Sequence, residues 1–124
     1  MAKAWLVLAT VSGFLSVALG ALGAHALKSL LDQYGRSIYE KAVTYQMFHT
    51  MGLFIVGLLE MSLRDTSLSL AGWFFIAGIL LFSGSLYLLA LTGIKWLGAI
   101  TPFGGTAFLL GWAFLGLKII QAKL

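Results

Sequence analysis

Four long stretches of this chain are almost free of charged residues, and together they fill most of its 124 positions. They cover about 5–27, 44–63, 69–91 and 97–117. A hydrocarbon core of roughly 30 Å is crossed by about 20 apolar residues in helical conformation, so each stretch is long enough to span a bilayer. We therefore predict an all-α fold, a bundle of four transmembrane helices that forms one domain over residues 1–124.

The composition agrees with a membrane protein and narrows its chemistry. Hydrophobic residues make up 60% of the chain and charged residues 10%. The absence of cysteine excludes disulfides, a thiolate nucleophile and Cys-ligated metals. The 8 basic residues outnumber the 4 acidic ones but stand singly at the ends of the spans, which favours membrane lipids over nucleic acid as the partner.

Residues 28–43, between the first two spans, form the longest polar segment. At about 100° per residue, its apolar side chains share one stripe and its charged ones occupy the rest. This pattern predicts an amphipathic helix lying in the membrane interface. The alternative is a solvated hairpin loop.

The charges give little information on orientation. Each side of the membrane receives four Lys or Arg residues: Lys3, Arg64, Lys118 and Lys123 on one side, and Lys28, Arg36, Lys41 and Lys95 on the other. An even number of spans places both termini on the same side, and Lys118 and Lys123 after the last span favour the cytoplasm.

Small residues indicate where helices come close together, because backbone packing drives helix association in lipid. The predicted helix-packing positions occur in the first and fourth spans: Ser12, Ser16, Gly20, Ala24, Gly98, Gly105 and Gly111. The pattern leaves open whether these contacts form within one chain or between copies.

The second span has one polar face. On a helical wheel Gln46, His49 and Thr50 lie together with Leu53, Gly57 and Glu60, and this face should turn inward because an ionisable side chain in acyl chains is costly. Counting depth along the helices adds further polar residues in the same half of the membrane. The candidate ligand-binding cluster is Gln46, His49, Thr50, Ser83, Ser85, Tyr87 and Thr101. The alternative interpretation makes His49 a structural hydrogen-bonding partner of a neighbouring helix.

We interpret Glu60 and Pro102 as residues with a structural role. Glu60 lies near the opposite membrane surface, where it could snorkel or pair with Arg64. Pro102 precedes Gly104 and Gly105, and we expect it to kink the fourth helix.

Neither a metal centre nor an enzyme is indicated. His25 and His49 approach the same surface, but no third ligand lies at similar depth, so we predict no metal and no cofactor. Facing Ser-His-Asp groups, paired carboxylates and a phosphate-binding loop after a strand are all missing from the pattern. We therefore predict that the protein is not an enzyme.

Four motifs resemble a known family. The segments GALGAHALK (20–28), YQMFHTMG (45–52), LFSGSLYLLAL (81–91) and ITPFGGTAFLLGW (100–112) are similar to the bacterial family of domain of unknown function 423. That family comprises small inner-membrane proteins, including YgdD-like and YwdK-like members, and is related to eukaryotic transmembrane protein 256. The resemblance implies a four-span protein of the cell (inner) membrane and supplies no substrate, reaction or catalytic residue.

Three functions remain open at this point. The first is a non-enzymatic membrane protein that acts by assembling with itself or with a membrane partner through its glycine-rich faces. The second is a small oligomeric transporter or channel with a polar site around His49. The third is a lipid-binding protein.

Overall fold

The computed structural model describes residues 1–124, and the chain is helical almost throughout. Its main helices are α1 (Ala2–Ala24), α2 (Gln33–Ser62), α3 (Ser69–Gly78), α4 (Gly84–Thr92) and α5 (Thr101–Gln121). A π-helix at Ile79–Ser83 joins α3 to α4, and a 3₁₀-helix at Lys95–Ala99 precedes α5. Four helical units are therefore long and apolar enough to cross a membrane, which confirms the predicted fold class.

The predicted interfacial helix is not a separate element. Residues 25–32 form turns, and α2 then runs without interruption from Gln33 through the second span. Asp32 starts this helix, because its Oδ1 accepts a hydrogen bond from the Gly35 amide at 2.6 Å. Part of the apolar stripe turns toward protein, since Ile38 and Ala42 are buried against Leu86, Leu89 and Leu97. Leu30 and Tyr34, at its start, are exposed. The wheel identified an apolar face but could not distinguish lipid from a neighbouring helix as its contact.

The thirty residues of α2 extend for about 45 Å, which exceeds the hydrocarbon core. Its first turns, with Arg36 and Glu40, therefore reach headgroup depth. Helix α1 packs mainly against α2, and α3 packs against α5. The larger apolar core joins Trp5, Leu53 and Phe75 to Phe108 and Leu115.

The third span contains a π-helix that no sequence signal indicated. Between Ile79 and Ser83 the backbone accommodates a wider turn, and the Ser83 hydroxyl donates to the Ala42 carbonyl of α2 at 2.7 Å. A π-helix has a wider turn than an α-helix, so it rotates the side chains of the residues that follow it about the helix axis. It thereby sets the direction in which the α4 side chains meet α2.

Pro102 lies in the first turn of α5 and not in its interior, where it would interrupt the helix. A proline in the first helical turn lacks only an amide that has no intrahelical partner there, and its fixed φ suits the helix. The preceding 3₁₀-helix turns about 120° per residue rather than 100°. A wheel extrapolated from Gly98 is therefore out of phase when it reaches α5.

This phase change determines which glycines of the fourth span pack within the chain. Gly104 is buried against the backbone of Phe82, whereas the nearest atom to an added Cβ on Gly105 or Gly98 would lie 3.8 Å or 3.7 Å away. Gly111 does pack closely, since a Cβ there would approach Phe75 Cε1 to 2.7 Å. The helix contacts at Gly104 and Gly111 are within the chain.

Most of the predicted packing residues of the first span face α2. Ser12 and Ser16 are buried, and Gly20 is half-buried beside Val43. Ala24, at the end of α1, is exposed.

Glu60 is used as a helix cap. Its Oε1 accepts hydrogen bonds from the Leu68 amide and the Ser69 hydroxyl, each at 2.9 Å, at the start of α3. A carboxylate at a helix N-terminus also interacts favourably with the helix dipole. This contact explains Glu60 better than snorkelling or a pair with Arg64.

Candidate functional site

Gln46 joins three spans through its side-chain amide. It lies on α2 and is buried, and its Oε1 accepts a hydrogen bond from the Tyr87 hydroxyl of α4 at 2.7 Å. Its Nε2 donates to the Ser12 carbonyl of α1 at 3.3 Å. The amide therefore links the first, second and third spans, as expected for a polar residue that stabilises helix contacts in lipid.

The hydroxyls of Thr50 and Ser12 add further hydrogen bonds to this linkage, and their donors and acceptors can be assigned. The Thr50 hydroxyl donates to the Gln46 carbonyl at 2.7 Å, and it lies 2.6 Å from the Ser12 hydroxyl. Because each hydroxyl carries one proton, Thr50 must accept from Ser12. The Ser16 hydroxyl donates to the Ser12 carbonyl at 2.8 Å. The hydroxyl protons of all three residues are thus committed inside the bundle.

His49 belongs to a different set of contacts. Its Nδ1 lies 2.7 Å from the Tyr45 carbonyl, and its Nε2 lies 3.0 Å from the indole Nε1 of Trp112 on α5. A carbonyl can only accept and an indole N–H can only donate, which assigns the proton to Nδ1 and the lone pair to Nε2. Both ring nitrogens of neutral His49 are therefore satisfied within the chain.

Aromatic rings surround the His49 imidazole. Its ring stacks on Phe108 with centroids 3.4 Å apart and an angle of 8° between planes, and Phe48 and Phe75 lie beside it at 5.2 Å and 5.7 Å. The imidazolium form would turn an N–H toward the Trp112 N–H and would place a charge among apolar rings, both of which are unfavourable. These contacts favour the structural interpretation of His49.

The remaining predicted site residues form local bonds between neighbouring helices. Ser85 donates to the Phe82 carbonyl at 3.0 Å and lies 2.7 Å from the Thr101 hydroxyl. Ser83 is bonded to α2, as described above. The seven candidate residues therefore divide into a Gln46–Thr50–Tyr87 group, a Ser85–Thr101 pair, and Ser83 and His49 with separate partners.

The cavities border two of the seven candidate residues, Thr50 and His49. None of the five main cavities is lined by Gln46, Ser83, Ser85 or Tyr87. His49 borders a groove of about 510 Å³ between α2 and α5, whose other lining residues include Phe48, Phe82 and Phe108. The groove at His49 is thus largely aromatic and lacks an array of polar side chains.

Sequence reasoning missed Trp112 as the partner of His49. A buried tryptophan N–H usually finds an acceptor, but this rule alone does not identify the pair, because Trp5 Nε1 is buried without one in the same bundle. Tyr45 and Phe108 could not be found in this way, since they contact His49 through a carbonyl and a ring face.

His25 does not approach His49. It caps the C-terminus of α1 and is exposed, whereas His49 is buried between α2 and α5. No group of three or more His, Asp or Glu side chains is placed to bind one ion.

The four spans and the internally bonded polar side chains define a small polytopic helical membrane protein. The chain belongs to the family described as "Protein of unknown function (DUF423)", which matches residues 19–105. A similar protein, the UPF0382 membrane protein SAB0533 of Staphylococcus aureus, is 43% identical over 113 residues, which is 91% of this chain and 92% of that protein.

Two further relatives extend the comparison. The UPF0382 membrane protein of Haemophilus influenzae is 43% identical over 126 residues, 99% of this chain and 98% of the relative. UPF0382 membrane protein YwdK of Bacillus subtilis is 43% identical over 87 residues, 69% of this chain and 71% of that protein. No solved structure matches the chain. The relatives confirm the predicted family, and their names describe them as membrane proteins.

Proposed function

We propose that this protein is a non-enzymatic membrane protein that acts by assembling with a second copy of itself through the outer side of α1. The observation that carries the proposal is a stripe of exposed small and apolar residues on α1: Val7, Val11, Phe14, Ala18 and Ala21. We call these five residues the outer α1 stripe.

Helix α1 is the least covered of the spans. In an apolar stretch of 18 residues in α1, 17% of the residues are buried within the chain, whereas the corresponding stretches of the other three spans are 28 to 44% buried. Its packing within the chain is mainly with α2, through Ser12 and Ser16. The opposite side of α1 is therefore available for another helix.

The spacing of the outer α1 stripe favours a helix as its contact. Its members follow one another at steps of four and three residues, which is the repeat of two helices that cross at a small left-handed angle. Alanine at 18 and 21 would let a second backbone approach closely. These residues differ from the predicted packing positions Ser12 and Gly20, which face α2.

The non-enzymatic part of the proposal is supported by the interior. The protons of Ser12, Ser16 and Thr50 are committed to acceptors in the chain, and neutral His49 uses both ring nitrogens. A nucleophile or general base needs a group that can exchange a proton with a substrate. Transport through a site at His49 stays a prediction, and the aromatic lining of the neighbouring groove does not favour it.

The assembly predicts a specific crosslink. Because the chain has no cysteine, Ala18→Cys introduces a single thiol into the outer α1 stripe. We expect Ala18→Cys in native membranes to form disulfide-linked dimers on mild oxidation, because a two-fold contact brings residue 18 of both copies together. The measurement is the dimer fraction on a non-reducing gel.

Leu109→Cys supplies the matched control. Leu109 is 73% exposed, on the lipid-facing side of α5, so its thiol would be as accessible without belonging to the stripe. Equal crosslinking of the two variants would indicate random collisions and would contradict the proposed surface. A purely monomeric protein in native mass spectrometry from bilayers would contradict self-assembly altogether.

A further inference from the structure

A groove lies at headgroup depth between the end of α1 and the first half of α2. It has a volume of about 530 Å³. Its charged lining residues are Lys28, Arg36 and Glu40, and Gly20 and Tyr39 lie beside them. Neither the polar residues around Gln46 nor the outer α1 stripe includes any of these side chains.

The charges of the groove favour a single anion. Two cations against one carboxylate leave one net positive charge, which one phosphodiester would neutralise. The Arg36 Nε donates to the Leu31 carbonyl at 3.1 Å, which holds the guanidinium in place and leaves its two amino groups available. A guanidinium held in this way suits a phosphate oxygen pair better than a mobile lysine alone would.

A second groove continues from the first toward the membrane centre. It has a volume of about 520 Å³, and Thr44 lines both. Its other lining residues include Gly13, Val17, Met47 and Met51. Gly13 and Gly20 leave space between α1 and α2 because neither has a side chain. The two grooves together form one continuous groove on the protein surface, which we call the surface channel. It is charged at the membrane surface and apolar below it.

The length of this channel matches one leaflet. From Arg36 to Met51 the rise along α2 is about 22 Å, close to half of a bilayer of about 40–45 Å including headgroups. Its charged end lies at headgroup depth and its apolar end near the midplane. A phospholipid has the same order of charged head and apolar tail.

We propose that this channel is a binding site for one anionic phospholipid of the adjacent leaflet. The phosphate lies between Lys28 and Arg36, and one acyl chain follows the surface past Gly20 and Gly13 to Met47 and Met51. Phosphate contact at the surface and apolar contact below it distinguish this site from general attraction of anionic lipid to basic residues.

The test is native mass spectrometry of the whole protein with phosphatidylglycerol and phosphatidylcholine that have identical acyl chains. We expect phosphatidylglycerol to bind at least about tenfold more tightly, and the double variant Lys28→Ala/Arg36→Ala to lose about tenfold of that affinity. Val17→Trp, which fills the apolar groove, should weaken both lipids to a similar degree.

Lys41→Ala/Lys95→Ala is the charge-matched control, since both lysines lie at the same end of the bundle and outside this groove. An equal loss in the control would mean unspecific charge attraction and would overturn the site. Full binding by Lys28→Ala/Arg36→Ala would also overturn it, as would a Val17→Trp variant with unchanged binding. All four substituted lysine and arginine side chains are exposed, so we expect each variant to fold, and circular dichroism of each variant checks this.

Discussion

Gly104→Ala should destabilise the folded protein by about 2 to 3 kcal/mol, even though alanine is the better helix former. A Cβ at this position would lie 2.7 Å from the Phe82 Cα and 2.8 Å from the Leu81 carbonyl carbon. Both contacts are to backbone, which cannot rotate away as a side chain can. Helix α5 and the third span would have to separate, and the contacts between Phe108 and Gly78 would loosen with them. The measurement is the free energy of unfolding in bicelles by steric trapping.

The adjacent residue provides the control for this prediction. A Cβ on Gly105 would lie 3.8 Å from the Phe82 ring, which is ordinary contact. Gly105→Ala should therefore leave stability unchanged or raise it by up to about 1 kcal/mol through helix propensity. If the two alanine variants had equal stability, the placement of Gly104 against Phe82 would be wrong.

Gln46→Leu should destabilise the protein by about 1 to 2 kcal/mol, because it removes the interhelical hydrogen bonds to Tyr87 and to Ser12 at once. The Tyr87 hydroxyl would lose its acceptor, and the Ser12 carbonyl would lose one of its donors. Leucine matches glutamine roughly in size, so the loss would come from hydrogen bonding more than from packing. Unfolding in bicelles measures the effect.

The double variant Gln46→Leu/Tyr87→Phe separates these contributions. Removing both partners of a buried hydrogen bond is less harmful than removing one, so the double variant should be clearly more stable than the sum of its single changes predicts. Gln121→Leu, at the exposed C-terminal end of α5, should have little effect. Strictly additive losses in the double variant would mean that Gln46 and Tyr87 are not bonded.

The spans and the inward face of α2 could be predicted because each depends on a local pattern. Charge-free length gives the spans, and the spacing of Gln46, His49 and Thr50 places them on one side of a helix. The same pattern could not identify their partners, since a wheel says nothing about which helix lies opposite. Gln46 bonds to Tyr87, forty-one residues later, and His49 to Trp112, sixty-three residues later.

The details that depend on helix phase were beyond local patterns. The π-helix at Ile79–Ser83 has no proline or polar run to indicate it, and its Ser83 bond needs the Ala42 carbonyl of another helix. Gly104 and Gly105 are adjacent in the sequence, and a 3₁₀ turn before α5 is enough to exchange their roles. Likewise the apolar stripe at 28–43 was visible in the sequence, but the burial of Ile38 and Ala42 against α4 depends on the third span.

The proposed functions use the outer surfaces of the protein. This assignment depends on the polar side chains of the interior being bonded within the chain and closed to water and ligands. The predicted cluster offered a transport site only if its polar groups faced water or a ligand. The hydrogen bonds of Gln46 and His49 instead end on side chains and carbonyls of the same chain. The proposed assembly through α1 and the proposed lipid site between α1 and α2 both use surfaces that this interior leaves exposed.

The most direct test of the closed interior is water-edited solid-state NMR of protein in lipid bilayers, with ¹⁵N-labelled histidine, glutamine and tryptophan. We predict that the Gln46 amide and the His49 ring receive no early magnetisation from water, and that at neutral pH His49 carries its proton on Nδ1 with Nε2 accepting from Trp112. Exposed His25 and Gln33 should exchange rapidly in the same sample and serve as the internal reference. Rapid transfer from water to Gln46 and His49, or an imidazolium at His49, would contradict a closed interior and restore a solvated site within the membrane.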